Sequence, residues 1–251
     1  MQLNAFIPAA GLGTRLAPLT LQQPKALVTV QGRALLGWVV DKLYNLGITN
    51  IIINVHYYSE QIIEYIDRIK ANYPLANFII SDESGKLLDT GGGIKKVANL
   101  YKDKIIDNNH PLLVYNCDIL SNIDIMAMYN YHIQQRAFIS LAVRERESSR
   151  QFIFNHNNEL IGWENAKTQS QIFARDSQNT ATQQHKKAAF SGIHILSPQA
   201  FDYLPQADIF STKDWYLELA KDNNLLAYYH NSDSWEDVGR YADWERLNKP
   251  V

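Results

Sequence analysis

A single cysteine, Cys117, occurs in 251 residues. That excludes an internal disulfide framework and fits a reducing compartment. An excess of one charge is also missing: 24 Lys and Arg stand against 26 Asp and Glu, a formal net charge of −2. Such a chain has no general electrostatic pull toward nucleic acid or an anionic membrane, so neither is expected as a partner. No apolar run approaches the roughly 20 residues of a membrane span. The N-terminus lacks the basic, apolar and cleavage-site layout of a secretory signal, so a cytoplasmic location is expected. Internal repeats and an obvious interdomain linker are absent as well, and a single domain over 1–251 is expected.

What is present is an ordinary globular composition, 46% apolar and 20% charged, long enough to bury a sizeable core. Strand-like and helix-like segments alternate. Ala5-Phe6-Ile7 reads as a first strand, a helix follows around Leu35 to Leu46, and Asn50 to Val55 is a β-branched run of the buried parallel kind. Ser59 is placed as the cap of a helix carrying Ile62, Ile63, Ile66 and Ile69 on one face. Strands at Phe78–Ile80, Pro111–Tyr115 and Phe138–Val143 alternate with helices from Gly93 to Leu100 and from Asp124 to Gln135. This rhythm predicts an α/β, Rossmann-like, mostly parallel open sheet with helices on both faces. In such sheets ligands sit beyond the carboxyl ends of the strands.

The second half is looser. Arg144-Glu145-Arg146-Glu147 reads as a solvated charged turn, Phe152 to Trp163 as a hairpin around Asn157-Asn158, and the polar stretch from Gln169 to Lys187 as a mobile loop. A strand over Ala189–Leu196, a helix from Lys213 to Lys221, a strand over Leu225–His230 and a helix from Arg240 to Leu247 complete the pattern.

Ala9-Ala10-Gly11-Leu12-Gly13-Thr14-Arg15-Leu16 follows the first strand, and Lys25 stands nine residues beyond. Small residues at a strand end let backbone approach a ligand, and successive N–H groups in such a turn form an anion-binding concavity. Arg15 and Lys25 beside it point to a phosphorylated ligand. The dinucleotide fingerprint fails, because its third glycine position is Leu16 and Pro18 interrupts a helix. The Gly-x-x-x-x-Gly-Lys-Ser/Thr loop occurs nowhere. Four further segments hold candidates. Asp89 opens a run through Thr90 to Gly91-Gly92-Gly93 that fits a base- or ribose-contacting turn or a plain flexible loop. Asp118, beyond the fourth strand, fits hard-oxygen ligation of Mg²⁺, or a helix cap or turn; Asp237, just before an expected helix, fits an N-cap. Gly192, in Phe190-Ser191-Gly192, leaves space for a ligand or marks a bulge.

Together these residues resemble the sugar-1-phosphate nucleotidyltransferases, whose signature Gly-x-Gly-Thr-Arg-Leu-x-Pro-Leu-Thr is matched from Gly11 to Thr20 and extended by Pro24-Lys25. Within that family the Thr90–Gly93 and Phe190–Gly192 segments look most like bacterial N-acetylmuramate-1-phosphate uridylyltransferases. The resemblance implies a glycosyltransferase-A-like fold, with residues 1–145 mainly nucleotide-binding and 146–251 mainly sugar-binding. It implies transfer of a nucleotidyl group from a nucleoside triphosphate to a sugar-1-phosphate. UTP and N-acetylmuramate-1-phosphate are the first pair, and mannose- or heptose-1-phosphate with GTP is the alternative.

It also implies that Arg15, Lys25, Asp118 and Asp237 are catalytic, with the two aspartates holding Mg²⁺. Ala10, Gly11, Gly13, Thr14, Asp89 and Gly92 would bind nucleotide; Asn116, Glu164 and Gly192 would bind sugar. Two departures are visible. Cys117 stands where glycine is frequent, and Gly162-Trp163-Glu164-Asn165 replaces a common Glu-Lys-Pro. A non-catalytic nucleotide-sensing module is the rival from another class. A monomer or homodimer is expected.

Overall fold

The computed structural model describes residues 2–174 and 185–249. In chain order the elements are β1 (Asn4–Ile7), β2 (Thr29–Val30), β3 (Arg33–Ala34), α1 (Leu35–Asn45), β4 (Asn50–Val55), α2 (Ser59–Ile69), β5 (Asn77–Asp82), α3 (Asp89–Lys102), β6 (Leu112–Tyr115), β7 (Ile119–Ser121), α4 (Ile125–Gln134) and β8 (Ile139–Arg144). They continue with β9 (Arg150–Phe154), β10 (Leu160–Asn165), β11 (Ser170–Phe173), β12 (Lys186–Leu196), α5 (Thr212–Leu219), β13 (Leu225–Tyr229), β14 (Trp235–Asp237) and α6 (Tyr241–Asn248).

Among the described residues ten strands form one sheet, with β11-β10-β9-β12-β6-β1-β4-β5 as its path, β8 paired off β12 and β13 paired in turn to β8. The expected α/β, Rossmann-like class holds. The sheet is mixed, however, rather than mostly parallel. β1 pairs parallel with both β4 and β6, and β4 with β5. The second half turns antiparallel because the long β12 pairs β6, β8 and β9 in that sense, with a register shift between Phe190 and His194. That shift lets one strand serve neighbours in both halves.

The alternation of strand side chains divides the core into two layers. Phe6, Ile52 and Val114 join Ile94 and Val97 of α3 and Trp215 and Tyr216 of α5 on one face. Ala5, Ile7, Ile51, Ile53 and Leu113 face the opposite layer, where α1, α2 and α4 contribute Leu36, Val40, Ile62 and Met128. With helices burying both faces, β1 and β4 read as near-continuous apolar runs.

Several boundaries differ from expectation. Tyr58, in left-handed backbone, precedes α2, and Ser59 is its first residue without a side-chain cap. Ile63 is exposed while Ile62 and Ile66 are buried. Asp124 does cap α4, accepting from Ala127 N. The hairpin around Asn157-Asn158 is present as β9 and β10. Part of the polar stretch expected as a loop is β11, and residues 175–184 of it lie outside those described. Among the described residues no helix is long and apolar enough to cross a membrane.

Candidate active site

The loop after β1 is fixed by a side chain the sequence reading passed over. Asn54, at the end of β4, accepts from Ala9 N at 2.6 Å and from Ala10 N at 3.2 Å. Its amide donates to Glu83 Oε1 at 2.9 Å. Both residues are buried. Burial pushes the Glu83 carboxyl above the ordinary carboxylate range, against the opposing hydrogen bond from Asn54. The signal for Asn54 was its polarity inside the run Ile51-Ile52-Ile53-Asn54-Val55, since a polar group there must find a partner.

Farther along the loop, Gly13 adopts φ 63°, and a Cβ there would lie 2.9 Å from Lys25 Cβ. Glycine is therefore required by both conformation and space. Thr20 Oγ1 donates to Gly13 O at 2.9 Å, and Thr14–Leu16 forms one tight helical turn with Leu16 buried. The turn carries Arg15 toward the second acidic strand: its guanidinium lies 3.2 Å from where a Gly239 Cβ would stand.

Two short strands bring the aspartates together. β14 pairs antiparallel with β7, setting Asp237 opposite Ile119, and Val238 N donates to Asp118 O at 2.9 Å. Asp237 is thus a strand residue rather than a helix cap. Its Oδ1 is buried without a partner. Burial first, and the nearby Asp118 charge second, raise the Asp237 carboxyl above its ordinary range, while Lys25 and Arg15 draw it down. Lys25, itself buried, forms an ion pair with Asp118. Cys117 is buried, and desolvation with the Asp118 charge pushes its thiol up to about 12, so it packs rather than attacks.

A cavity of about 470 Å³ opens here, lined by Ala10, Gly11, Lys25, Asn54, Glu83, Asp89, Thr90, Asn116 and Asp118. Its volume suits a small-molecule ligand. Gly92 does not reach it as a turn residue. α3 starts at Asp89, so the three glycines lie within its first turns. A Cβ on Gly92 would meet Asp208 O at 2.1 Å and one on Gly91 the Phe210 ring at 2.4 Å. Those two glycines admit the 208–210 backbone against the helix, while Gly93 makes room for the Asn54–Glu83 pair.

Of the residues expected to hold sugar, Asn116 lines the cavity and Gly192 lies against it. Gly192 has φ 76°, its carbonyl accepts from Asn116 N at 3.0 Å, and a Cβ there would stand 2.9 Å from Asn116 Nδ2. Glu164 is set apart on β10 and pairs with Lys187 at 2.8 Å.

Among the described residues no group of three or more His, Cys, Asp and Glu side chains could hold a metal. Asp118 with Asp237 fits a different donor set, two carboxylates completed by phosphate oxygens and water, as Mg²⁺ commonly takes. The buried, unpartnered Asp237 Oδ1 is the observation that supports this fit.

A phosphate-type loop, a paired lysine and two adjacent carboxylates converge at the carboxyl ends of β1 and β6, the ligand edge of an open α/β sheet. The chain belongs to the nucleotidyl transferase family, which matches residues 4–250. It is 38% identical over 114 residues to the N-acetylmuramate alpha-1-phosphate uridylyltransferase of Caulobacter vibrioides, covering 45% of each chain. It is 25% identical over 246 residues to the mannose-1-phosphate guanyltransferase of Saccharomyces cerevisiae, covering 96% of this chain and 63% of that one. The chain thus spans between about half and two thirds of the length of these curated relatives. The UDP-glucose pyrophosphorylase structure from Acinetobacter baumanii superposes with a TM-score of 0.75 at 17% identity, covering 98% of this chain and 92% of that one. That likeness concerns the fold.

Proposed function

We propose that this protein transfers a nucleotidyl group from a nucleoside triphosphate to a sugar-1-phosphate, releasing pyrophosphate. Residues 1–145 serve mainly the nucleotide and 146–251 mainly the sugar. The observation that carries the reading is that Lys25 and Asp118 line a ligand-sized cavity with Gly11 of the phosphate-type loop, and that the β14–β7 pairing brings Asp237 beside Asp118. A sensing module could lose Arg15, Lys25, Asp118 or Asp237 at no cost, so their presence together argues against that rival.

A sugar-phosphate oxygen attacks the α-phosphorus as the bond to the β-phosphate oxygen breaks, and pyrophosphate carries away the electron pair. The attacking monoester is already anionic near neutral pH, so no general base is required. Catalysis then consists of positioning and charge neutralisation. Gly11, Gly13 and Thr14 present backbone to the triphosphate, and Arg15 neutralises the leaving pyrophosphate. Lys25 bridges the α-phosphate and the incoming phosphate. Asp118 and Asp237 would hold Mg²⁺, whose chemistry when bound is to neutralise charge on the transferring group. Ala10 and Asp89 frame the base and ribose, with Gly92 acting only by seating α3 against the 208–210 backbone; Asn116 and Gly192 frame the sugar, with Glu164 at its outer edge on β10.

UTP and N-acetylmuramate-1-phosphate are the substrate pair we favour, supported by the Caulobacter relative's 38% identity. GTP with mannose-1-phosphate is the second reading, supported by the longer but weaker match to the yeast relative. A pyrophosphate-release assay over a matrix of nucleotides and sugar-1-phosphates with Mg²⁺ tests both. Release is expected with UTP and N-acetylmuramate-1-phosphate. No release from any pair overturns the enzyme reading, and release confined to GTP with mannose-1-phosphate overturns only the favoured pair.

A further inference from the structure

A second cleft, about 1000 Å³ and widely open, lies beyond the catalytic aspartates. Five cations line it: Arg146 from the turn after β8, Lys167 after β10, Lys186 and Lys187 of β12, and Arg240 at the start of α6. Among the described residues only two carboxylates, Glu145 and Glu147, line it with them. In a chain of net charge −2 this is a local inversion of sign.

The cations are mostly uncompensated. Lys187 pairs with Glu164. Among the described residues the other four take part in no ion pair with a carboxylate. Arg146 is the most constrained. Its guanidinium stacks on the Trp235 ring, 4.5 Å from the centroid, and its Nε is buried without a hydrogen-bond partner among the described residues. Its guanidinium donates to the carbonyls of Glu147 and Phe190, at 3.3 and 3.4 Å. Arg144-Glu145-Arg146-Glu147 is therefore more than a solvated turn: one of its arginines is fixed, half-buried and short of acceptors.

The cleft adjoins the proposed sugar side at several points. Lys187 holds Glu164, Arg146 reaches the carbonyl two residues before Gly192, and burial lowers the Arg146 guanidinium while the nearby Asp237 charge partly opposes that. Arg240 follows Asp237 by three residues. The reacting phosphates already have Arg15 and Lys25 to meet their charge, so these further cations are surplus to the transfer itself.

We infer that this cleft binds a second anionic group on the sugar-1-phosphate, a carboxylate or a further phosphate, and so selects acidic over neutral sugars. This rests on the sugar-nucleotidyl reading and deepens it. The lactyl carboxylate of N-acetylmuramate is one group of the required chemistry, while mannose-1-phosphate carries none. Charge-assisted hydrogen bonds from lysine and arginine supply the selectivity, and added salt weakens it where the cleft is open.

The test is calorimetric titration of the full chain with two matched pairs. The first is N-acetylmuramate-1-phosphate against N-acetylglucosamine-1-phosphate, and the second is glucose-1,6-bisphosphate against glucose-1-phosphate. At least about tenfold tighter binding of the acidic member is expected in one pair, and the pair that shows it tells carboxylate from phosphate. In Lys167→Gln/Arg240→Gln, two exposed positions, that ratio should fall about tenfold. Arg146→Gln is the second variant, read by the same ratio. Equal affinities within both pairs, or a ratio unmoved by either variant, overturn the inference. Pyrophosphate release measured in the same mixtures reports separately on the transferase reading. Release without acidic preference removes only the cleft's role, and acidic preference without release removes only the catalysis.

Discussion

Asp237 keeps one carboxylate oxygen buried and unpaired beside the charge of Asp118. Desolvation and like-charge repulsion both oppose that arrangement, so its presence implies a demand other than stability. Asp237→Asn should therefore separate the two. We expect kcat/KM to fall by about 10²–10³, while the thermal midpoint rises by roughly 2–4 °C, the shift per kcal/mol in a chain of this size. Asp118→Asn should cost turnover similarly, but leaves Lys25 without its carboxylate and so gives no such rise. Wild-type rates in Asp237→Asn would remove that residue from the reaction. Asn54 acts differently, through the loop. Asn54→Ala strips the acceptor from two buried N–H groups and the donor from Glu83. A loss of about 1–3 kcal/mol in chemical denaturation is expected, with a raised KM for nucleotide; an unchanged KM would show that the loop holds its shape unaided. Lys25, Asp118 and Asp237 were legible in the sequence as candidates: a long motif marks the first, a strand end the second, and only the family resemblance the third. Asn54 and Glu83 were not, because their roles exist only once β1, β4 and β5 lie side by side.

At the scale of elements, the start of α3 was the least legible part of the site. Three consecutive glycines read as a loop on propensity, since each costs about 1 kcal/mol relative to alanine in a helix. Tertiary packing overrides that cost: the Asp208–Phe210 backbone presses against Gly91 and Gly92 so closely that no side chain fits. Those contacts come from more than a hundred residues away, beyond the reach of local pattern. Asp89 and Thr90, which line the cavity, ride on the same helix end. Gly92→Ala must therefore displace the Asp208 carbonyl, which a Cβ would approach to 2.1 Å. A loss of roughly 1–3 kcal/mol is expected from such overpacking. Nucleotide KM should rise with it, since Asp89 and Thr90 move too. A variant with wild-type unfolding midpoint and KM would show that α3 is held by other contacts. The β14–β7 ladder escaped the sequence reading for a related reason. Its three-residue strands carry no usable period, and only their pairing sets Asp237 opposite Ile119.

Over the whole molecule, the interior holds three histidines whose neutral form folding requires. Burial pushes His132 down to about 4, with Ser140 and Ser197 hydroxyls on its ring nitrogens. His230, bonded to Ser191 Oγ at 2.7 Å, is likewise held at about 4, first by burial and then by Arg144. His194 is lowest, at about 3: it is buried between Phe190 and Tyr216, and neither ring nitrogen has a hydrogen-bond partner. All three lie below the unfolded value of 6.5, so below that pH the unfolded chain binds more protons and stability falls as pH falls. The contribution is complete above pH 6.5 and is progressively lost down to about 4 for His132 and His230 and about 3 for His194. Each tenfold difference in proton affinity is worth about 1.4 kcal/mol. Glu83 and Asp237, whose carboxyls are raised, act in the opposite sense as pH falls, so the net slope alone does not isolate the histidines. His194→Phe does, because a ring of similar shape in the same apolar setting removes one titrating group without leaving a polar atom unsatisfied. Thermal midpoints measured from pH 7.5 to 4.5 should fall less steeply for this variant than for the parent chain. Parallel curves would mean that His194 does not limit stability in acid.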